Sequence, residues 1–459
     1  MRLTDYVMAS SELKKRYFDT VTMQVGLRYF GGKNVIGKYL INRIFEMQAY
    51  RYVNNNNADI QPAKVFIDCF TGGGKMALSI PTGWFDTIVM NDYNYGVYSY
   101  YKCCQIAPLA LIKMIENLGR IMCLDVFMLC ARLRSTRGKN LDKDFLECIG
   151  LTCRDDNHFV MPDNESVHAD MLLSGAMTYW VTQGSWLGET DPESVSYAMG
   201  TKGKNEAEEI RKRIRTAKKR IYEINQKMCR QHYIIENMDY VDLLKKYLGE
   251  YGNDKLCIYL DPPYHAATLN KSNGYNADGT EKKGSNKDDT ENTAPYEDTF
   301  EYEQTNAMTY LLATLKWFIK SDYDPYYFFR DPNLPKERED DNREKADFFH
   351  DFDLIENMDM GFYREYLGSF HKGTSTGHDE GMEVIWSRYD GSQASLKWMN
   401  ADEEDWEFWF KKKSSRMVWL PSSEVNSKAR LTKTESSEEV CQGYYEKKLK
   451  EIRGQHRKQ

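Results

Sequence analysis

The sequence predicts an α/β fold organised around a mainly parallel sheet. Four short apolar runs, at residues 65–68, 87–92, 233–239 and 256–261, each end in an aspartate. The first three runs are followed by segments with helical spacing, the third by a helix predicted over residues 240–251, and this alternation of strand and helix is typical of parallel sheets. Successive residues within the runs are apolar, so we expect both faces of the sheet to be covered.

Composition and charge limit the function classes. The chain has 459 residues, of which 41% are hydrophobic and 29% charged, enough for two or three globular domains. No apolar run has the length of a membrane span, and residues 1–15 lack the apolar core of a signal peptide. Ten scattered cysteines fit a reducing cytosol, and Cys148, Cys153 and His158 are too loosely spaced for a zinc site. With a net charge of −7, nucleic-acid binding would need local basic patches.

The run at residues 256–264 is the centre of the functional argument. Five apolar or aromatic residues end in Asp261-Pro262-Pro263-Tyr264, and the prolines must stop the strand there. Ligands of open α/β sheets bind at the carboxyl ends of strands, so Asp261, the Pro262 carbonyl and Tyr264 would face a ligand. A carboxylate and a carbonyl can accept the hydrogens of the adenine amine and make its nitrogen more nucleophilic. A tyrosine can stack on an extruded base for about 1–3 kcal/mol, but an ordinary Asp-Pro turn is the alternative.

A glycine turn follows the first apolar run. Residues 65–78 have the pattern of a strand, the acidic Asp68, three consecutive glycines and a helix, as in the first unit of a nucleotide-binding sheet. Ala77 and the contiguous glycines break the dinucleotide fingerprint, while Cys69 and Met76 exclude a P-loop. An acidic strand end suits a cationic ligand better than a pyrophosphate; a plain glycine turn is the alternative.

Two further segments have features of a ligand site. A glycine pair precedes the helical pattern of residues 36–45, where backbone can approach a ligand closely, and Leu27 and Asn34 exclude a P-loop there. Asp92, at the end of the second apolar run, can hold ribose hydroxyls or cap a helix over residues 93–102. These two roles are compatible.

Basic clusters appear in residues 103–232, where helical patterns interrupt the strand–helix alternation. Arg132, Arg134 and Arg137 form one cluster, and a strongly basic helix is predicted over residues 206–230. A charge run is usually a solvated helix face. In an acidic protein, basic clusters interleaved with aromatic residues are also typical of contact with a phosphate backbone.

The second half contains polar segments between further predicted elements. We expect a mobile loop at residues 265–299, a helix at 306–319, an acidic insertion at 321–347, a strand at 383–389 and a charged extension at 391–459. Because the loop directly follows Tyr264, it would lie beside the ligand.

Four motifs follow one another along the chain: Phe-Gly-Gly-Lys at 30–33, Asp-x-Phe-x-Gly-Gly-Gly at 68–74, Asn-Asp at 91–92 and Asp-Pro-Pro-Tyr at 261–264. Their order resembles that of the Dam-like (D12 class, alpha group) DNA adenine-N6 methyltransferases. Residues 179–188 resemble the family's aromatic-x-Ser-aromatic-x-Gly signature, and residues 383–389 resemble its closing strand. The resemblance covers most of residues 26–390.

The resemblance implies a Rossmann-like S-adenosylmethionine-dependent methyltransferase sheet with an inserted, mainly helical target-recognition domain. The expected organisation is a first catalytic part at residues 1–102, the recognition domain at 103–232, a second catalytic part at 233–390 and the extension at 391–459. The implied reaction is site-specific, metal-independent methyl transfer from S-adenosylmethionine to N6 of an extruded adenine in double-stranded DNA. We expect a monomer in the cytoplasm, or wherever host or phage DNA resides, with a cognate restriction endonuclease as a candidate partner.

Residue roles follow from positions in the motifs. The implied catalytic set is Asp261, Pro262, Tyr264 and Lys33. The set implied to bind S-adenosylmethionine is Tyr29, Lys33, Asp68, Phe70, Gly72, Gly74, Asp92, Asp239 and Asp261. The candidate DNA-binding residues are Arg132, Arg134 and Arg137, from the charge pattern, and Ser185 and Trp186, from the resemblance.

The sequence also departs from the family pattern. The run of polar and basic residues expected after Gly188 is not recognisable, so the recognition sequence stays open. The strand expected between residues 306–319 and Glu383 is not evident. Cytosine-N4 methylation is the near alternative, although it usually goes with serine rather than aspartate before Pro-Pro-Tyr. An inactive DNA-binding homologue is a second alternative, against which the intact Asp261 and Tyr264 argue.

Overall fold

The computed structural model describes most of the first 262 residues and parts of the chain up to residue 389. The described residues are 2–24, 26–29, 37–53, 62–135, 143–155, 158–160, 168–185, 188, 195–199, 205–262, 312, 314–323, 363–373 and 378–389. The expected loop at 265–299 and extension at 391–459 lie outside this part of the chain. Within it, no helix combines the length and the apolar character that crossing a membrane requires.

The strands form a mixed, mainly parallel sheet. The described strands are β1 (Val65–Asp68), β2 (Thr87–Asn91), β3 (Thr152–Asp155), β4 (His158–Val160), β5 (His232–Glu236), β6 (Leu256–Leu260), β7 (Phe318–Tyr323), β8 (Tyr363–Gly373) and β9 (His378–Ser387). Seven of them form one sheet in the order β5-β2-β1-β6-β7-β9-β8, and β3 pairs with β4 separately. The five strands from β5 to β7 in this order are parallel, whereas β9 is antiparallel to both of its neighbours. The predicted α/β class and mainly parallel sheet are confirmed.

The strand order is that of the six-stranded dinucleotide-binding fold with one change, the reversed strand β9 inserted between β7 and β8. The described helices are α1 (Leu3–Met8), α2 (Ser11–Thr20), α3 (Gly37–Val53), α4 (Lys75–Ser79), α5 (Tyr95–Ile106), α6 (Pro108–Ile121), α7 (Leu124–Leu133), α8 (Lys143–Cys148), α9 (Ala169–Gly184), α10 (Glu206–Arg230) and α11 (Tyr240–Tyr251). α10 and α11 have the predicted bounds.

Both faces of the sheet are covered, as the apolar strands predict. Phe66 and Ile88 belong to a hydrophobic cluster with residues of α3, α4 and α5. Their sequence neighbours Ile67 and Val89 belong to a second cluster, with residues of α11. Because neighbouring residues of a strand contact opposite helix layers, the carboxyl ends of the strands remain as the edge at which the connecting loops meet.

Helices from the middle of the chain pack directly on the helix layer of the sheet. α6, α7, α9 and α10 share one hydrophobic cluster with α5. On α10, Asn225 donates to the Cys104 carbonyl at 2.9 Å. Lys227, near the end of the same helix, donates to the Ile80 carbonyl at 2.9 Å. The predicted boundary between residues 102 and 103 falls inside α5, and a separate recognition domain stays a prediction.

The helix predicted at residues 306–319 is wrong at its end. Strand β7 begins at Phe318, and both β7 and β8 precede Glu383 in the interval where the sequence pattern showed no strand. Phe318 and Ile319 face opposite hydrophobic clusters, which is the two-residue period of a strand. Residues 321–323, assigned to the acidic insertion, are part of β7 and pair with β9. The strand predicted at 383–389 is confirmed as β9, which begins earlier, at His378.

Candidate active site

Four aspartates of the predicted site lie at one edge of the sheet. Asp68 is the last residue of β1, and Asp92 directly follows β2. Asp239 follows β5, and Asp261 directly follows β6. Because these four strands are adjacent and parallel, their carboxyl ends bring the aspartates to a common edge.

The glycine turn between β1 and α4 is bonded to the end of β2. Gly72 and Gly74 have φ angles of 44° and 70°, in the left-handed region that glycine adopts without strain. The Gly72 N–H donates to Asp92 Oδ2 at 2.8 Å. The turn is closed by the Gly74 N–H, which donates to the Thr71 carbonyl at 2.7 Å. The backbone of the turn is therefore fixed relative to Asp92.

Asp92 accepts two backbone hydrogen bonds but does not cap α5. Its Oδ1 accepts from the Asn94 N–H at 2.9 Å. The residue that caps α5 is Asn94, whose Oδ1 accepts from Gly96 and Val97 at 3.0 and 3.3 Å, which corrects the predicted capping role of Asp92. Each carboxylate oxygen has two lone pairs, so the half-buried Asp92 keeps acceptor capacity for a ribose hydroxyl.

Asn91, to which the sequence reasoning assigned no role of its own, joins three strand ends. Its buried Nδ2 donates to the carbonyls of Cys69 and Met238 at 3.0 and 3.1 Å. Its Oδ1 accepts from the Met238 N–H at 3.0 Å. This amide on β2 therefore holds the segment after β1 and the segment after β5. In the sequence, this role could have been recognised from the asparagine that directly precedes the aspartate at the end of the second apolar run.

Asp68 is buried with unused acceptor capacity. The residue is 1% exposed, and its Oδ2 accepts from the Ala77 N–H at 3.3 Å. Within the described part of the chain, its Oδ1 has no hydrogen-bond partner. Burial is the main cause that raises the pKa of this carboxyl to about 8; the negative charges of Asp261 and Asp92 add to the rise, and backbone hydrogen bonds from Ala77 and Phe70 oppose it. The three carboxyl groups are close enough to interact, and a cationic ligand would relieve their repulsion.

Aromatic residues flank the glycine turn. The half-buried Tyr29 packs so closely that a Cβ at Gly72 would lie 3.1 Å from Tyr29 Cδ1. The ring of Phe70 lies 5.3 Å from that of Tyr240, which holds it against α11. Tyr29 and Phe70 therefore lie beside the turn, while their contact with a cofactor stays a prediction.

The remaining catalytic and cofactor residues are brought together in part. Asp261 is half-buried and Pro262 is buried at the end of β6. Asp239 is exposed and caps α11, its Oδ1 accepting from the Val241 N–H at 2.8 Å. Lys33 and Tyr264 lie outside the described residues.

The candidate DNA-binding residues differ in how deeply their side chains are buried. Arg132 is exposed on α7, but Arg134 and Ser185 are each 0% exposed. A buried side chain cannot present its donor to a phosphate, so Arg134 and Ser185 are not placed for direct contact with DNA in this conformation. Arg137 and Trp186 lie outside the described residues.

The basic helix α10 has both exposed and engaged cations. Arg213 donates to the Gln183 carbonyl at 2.7 Å, and Lys218 pairs with Glu116 at 2.5 Å. Arg211 and Arg215 are exposed, and the structure gives neither an ion pair within the described residues. Only part of the predicted basic cluster is therefore available to a phosphate backbone.

Comparison with known proteins gives this chain no family. No protein-family model matches it, and no curated protein is detectably similar in sequence. Its chemistry therefore has to be argued from the site, which offers carboxylate and carbonyl acceptors beside a glycine turn. Such a set can bind cations and amine hydrogens.

The Asp68 carboxyl makes stability depend on pH. Its pKa is about 8 in the folded protein against 3.8 for an unperturbed aspartate, so the folded state holds a proton that the unfolded chain releases. The stabilisation is complete below about pH 4 and is lost as the pH rises to about 8. Between about pH 5 and about pH 9, we expect urea unfolding to show wild type losing several kcal/mol relative to Asp68→Asn, which cannot titrate.

The exposed Asp242 of α11 provides the control, because Asp242→Asn should change the free energy of unfolding little at either pH. A difference between wild type and Asp68→Asn that is constant over this pH range would show that Asp68 does not titrate there.

Gly74 should tolerate no side chain. A Cβ there would lie 2.7 Å from Cζ of the buried Tyr101, in addition to the strain of a φ of 70°. Gly83 has a φ of 85° but no atom within 4 Å of such a Cβ, so Gly83→Ala isolates the backbone strain, about 1–2 kcal/mol. We expect thermal unfolding to show a larger loss for Gly74→Ala than for Gly83→Ala. Equal losses would mean that Tyr101 moves away at no cost.

Proposed function

We propose that this chain transfers the methyl group of S-adenosylmethionine to N6 of an adenine in DNA. The observation that carries the proposal is the direct parallel pairing of β1 with β6, in which Asp68 lies opposite Tyr259, two residues before Asp261. Asp261 begins the Asp-Pro-Pro-Tyr sequence, and Asp68 precedes the glycine turn. A group suited to activating an amine is thus beside a turn suited to a nucleotide-like ligand.

The residues at the edge fit S-adenosylmethionine. This molecule carries a sulfonium and an ammonium cation, and when bound it supplies an already activated methyl group. Asp68 Oδ1 lacks a partner within the described residues, and Asp92 can accept ribose hydroxyls. A dinucleotide would bring its pyrophosphate towards three carboxyl groups, which argues against the usual ligand of this type of sheet.

The residues of this chain would act by position and charge. Asp261 and the Pro262 carbonyl would each accept a hydrogen bond from the adenine amine and hold its nitrogen towards the cofactor. Pro262 fixes its own φ, so the carbonyl is held at little further entropic cost. By the resemblance, Tyr264 would stack on the extruded base. Orientation and electrostatics of this kind can supply most of the rate acceleration.

Removing the Asp261 carboxylate should abolish methylation without unfolding the protein. The side chain is half-buried at a strand end, so its loss opens no cavity in the core. A loss of about 3–4 kcal/mol of transition-state stabilisation corresponds to a rate reduction of several hundred-fold. We expect Asp261→Ala to transfer no detectable label from S-adenosylmethionine to DNA, with the wild-type product identified as N6-methyladenine by nucleoside analysis.

Asp242→Ala, on the exposed side of α11, is the matched control and should retain activity. Near-normal N6-methyladenine from Asp261→Ala would contradict the mechanism, and N4-methylcytosine from wild type would move the function to cytosine. S-adenosylmethionine binding without transfer to any DNA would favour an inactive homologue.

The exposed cations of α10 should contribute to DNA affinity. Arg211→Gln and Arg215→Gln remove charges that no described acidic group neutralises, so the affinity for all DNA sequences should fall and its salt dependence should flatten by about one unit of slope per phosphate contact. Fluorescence anisotropy over a salt series measures both quantities. Lys245→Gln, exposed on α11 at the opposite face of the sheet, is the control. If the slope equals that of wild type, this face of α10 is only solvated.

A further inference from the structure

Arg134 ends α7 inside the protein, although its sequence neighbours belong to a basic cluster. The residue is 0% exposed, and its Nη1 donates to Asn94 Oδ1 at 3.2 Å. The Asn94 amide donates in turn to Ser135 Oγ at 3.1 Å. Burying a guanidinium costs several kcal/mol unless its donors are satisfied, so this position has a structural requirement that an exposed arginine does not have.

The hydrogen bonds continue from Asn94 to the glycine turn. The Asn94 N–H donates to Asp92 Oδ1 at 2.9 Å, and Asp92 Oδ2 accepts from the Gly72 N–H at 2.8 Å. Asn94 is itself buried, so its side chain has little freedom to reorient. Arg134 is thus three contacts away from the backbone of the turn.

A second connection to the same turn runs through residues 28 and 29. Gly188 has a φ of 85°, and a Cβ there would lie 2.8 Å from the carbonyl oxygen of Arg28. Tyr29, the next residue, packs against Gly72. Residues 134 and 188 both belong to the segment 103–232, so this segment contacts, at two separate places, residues that connect to the turn.

We propose that Arg134 is a positioning residue that sets the orientation of Asp92 and couples the segment 103–232 to the cofactor pocket. The ligand named in this inference, S-adenosylmethionine, rests on the proposed function. Because Arg134 lies two residues from the exposed Arg132, a DNA duplex held near the end of α7 would bias the conformation of Asn94 and Asp92. Coupling of this kind is reciprocal, so DNA and S-adenosylmethionine must change one another's affinity by the same factor.

The experiment compares a buried with an exposed arginine, each near the end of a helix. Arg134→Gln should weaken S-adenosylmethionine binding about ten-fold or more in calorimetry, because a charged donor to Asn94 is lost. Arg134→Lys should restore part of the affinity, since a cation is retained. Arg120→Gln, at an exposed position in the last turn of α6, should leave the affinity unchanged.

Two further readouts separate positioning from general destabilisation. Hydrogen exchange of the Gly72 amide should become faster in Arg134→Gln but not in Arg120→Gln, and this measurement needs no ligand. The ratio of S-adenosylmethionine affinities with and without sheared genomic DNA should differ from one in wild type and return towards one in Arg134→Gln.

Several outcomes would overturn the inference. Unchanged cofactor affinity and Gly72 exchange in Arg134→Gln would show that Arg134 only fills space, and a wild-type affinity ratio of one would remove the coupling.

If wild type binds no S-adenosylmethionine, the proposed function fails, and the Gly72 exchange still decides whether Arg134 positions the turn. If Arg134→Gln does not fold, Ser135→Ala decides in its place, because it removes the acceptor of the Asn94 amide. Unchanged Gly72 exchange in Ser135→Ala would then overturn the proposal.

Discussion

The side-chain amide of Asn91 determines how the strand ends meet. Backbone groups just beyond a strand have left the hydrogen-bonding ladder, and at a buried edge they need other partners. Asn91 supplies two donors to carbonyls and one acceptor to an N–H across three strand ends. An aspartate at this position could accept but not donate, and it would add a charge to an edge that already has several. The adjacent Asp92 is therefore held in register with the end of β1, where the glycine turn begins.

Three carboxyl groups lie together at this edge, although the fold itself does not require acidic residues there. Asp68, Asp92 and Asp261 interact, and their repulsion adds to the burial that raises the pKa of Asp68 to about 8. Backbone N–H groups from Gly72, Asn94 and Ala77 neutralise the repulsion only in part. Perturbed carboxyl groups that cluster at the open edge of a sheet are typical of ligand sites. A bound cation would remove the repulsion that the folded chain otherwise relieves by retaining a proton.

Much of the framework follows from local patterns. Apolar runs that end in aspartate predicted β1, β2, β5 and β6, and the strong helical periods predicted α10 and α11 at their observed bounds. The error at Phe318 has a local cause, because a short apolar run after a helical segment fits either period until its neighbours are known. Pairing with β6 and β9 makes this run a strand, and both partners lie far away in the sequence.

The contents of the site were harder to predict than its location. Strand-end aspartates could be recognised from sequence. Which residue caps α5, Asp92 or Asn94, depends on how the turn after β2 closes. Nothing local distinguishes the buried Arg134 from the exposed Arg132 except that residues two apart do not share a helix face. Which of the two faces inward is set by packing against α5 and α9, and this is tertiary information.

The basic and the acidic side chains lie on different parts of the fold, and this arrangement affects how an acidic protein could act on DNA. Exposed arginines at Arg132, Arg211 and Arg215 lie on helices, whereas the carboxyl groups lie at the edge of the sheet. Phosphates would be attracted to the former and repelled by the latter, and this repulsion is strongest where the surroundings exclude water. A neutral base whose amine donates hydrogen bonds suffers no such penalty. Under the proposed function, the carboxylate edge would therefore exclude the DNA backbone and admit only a base that has left the helix, so that the same charges serve selection and chemistry.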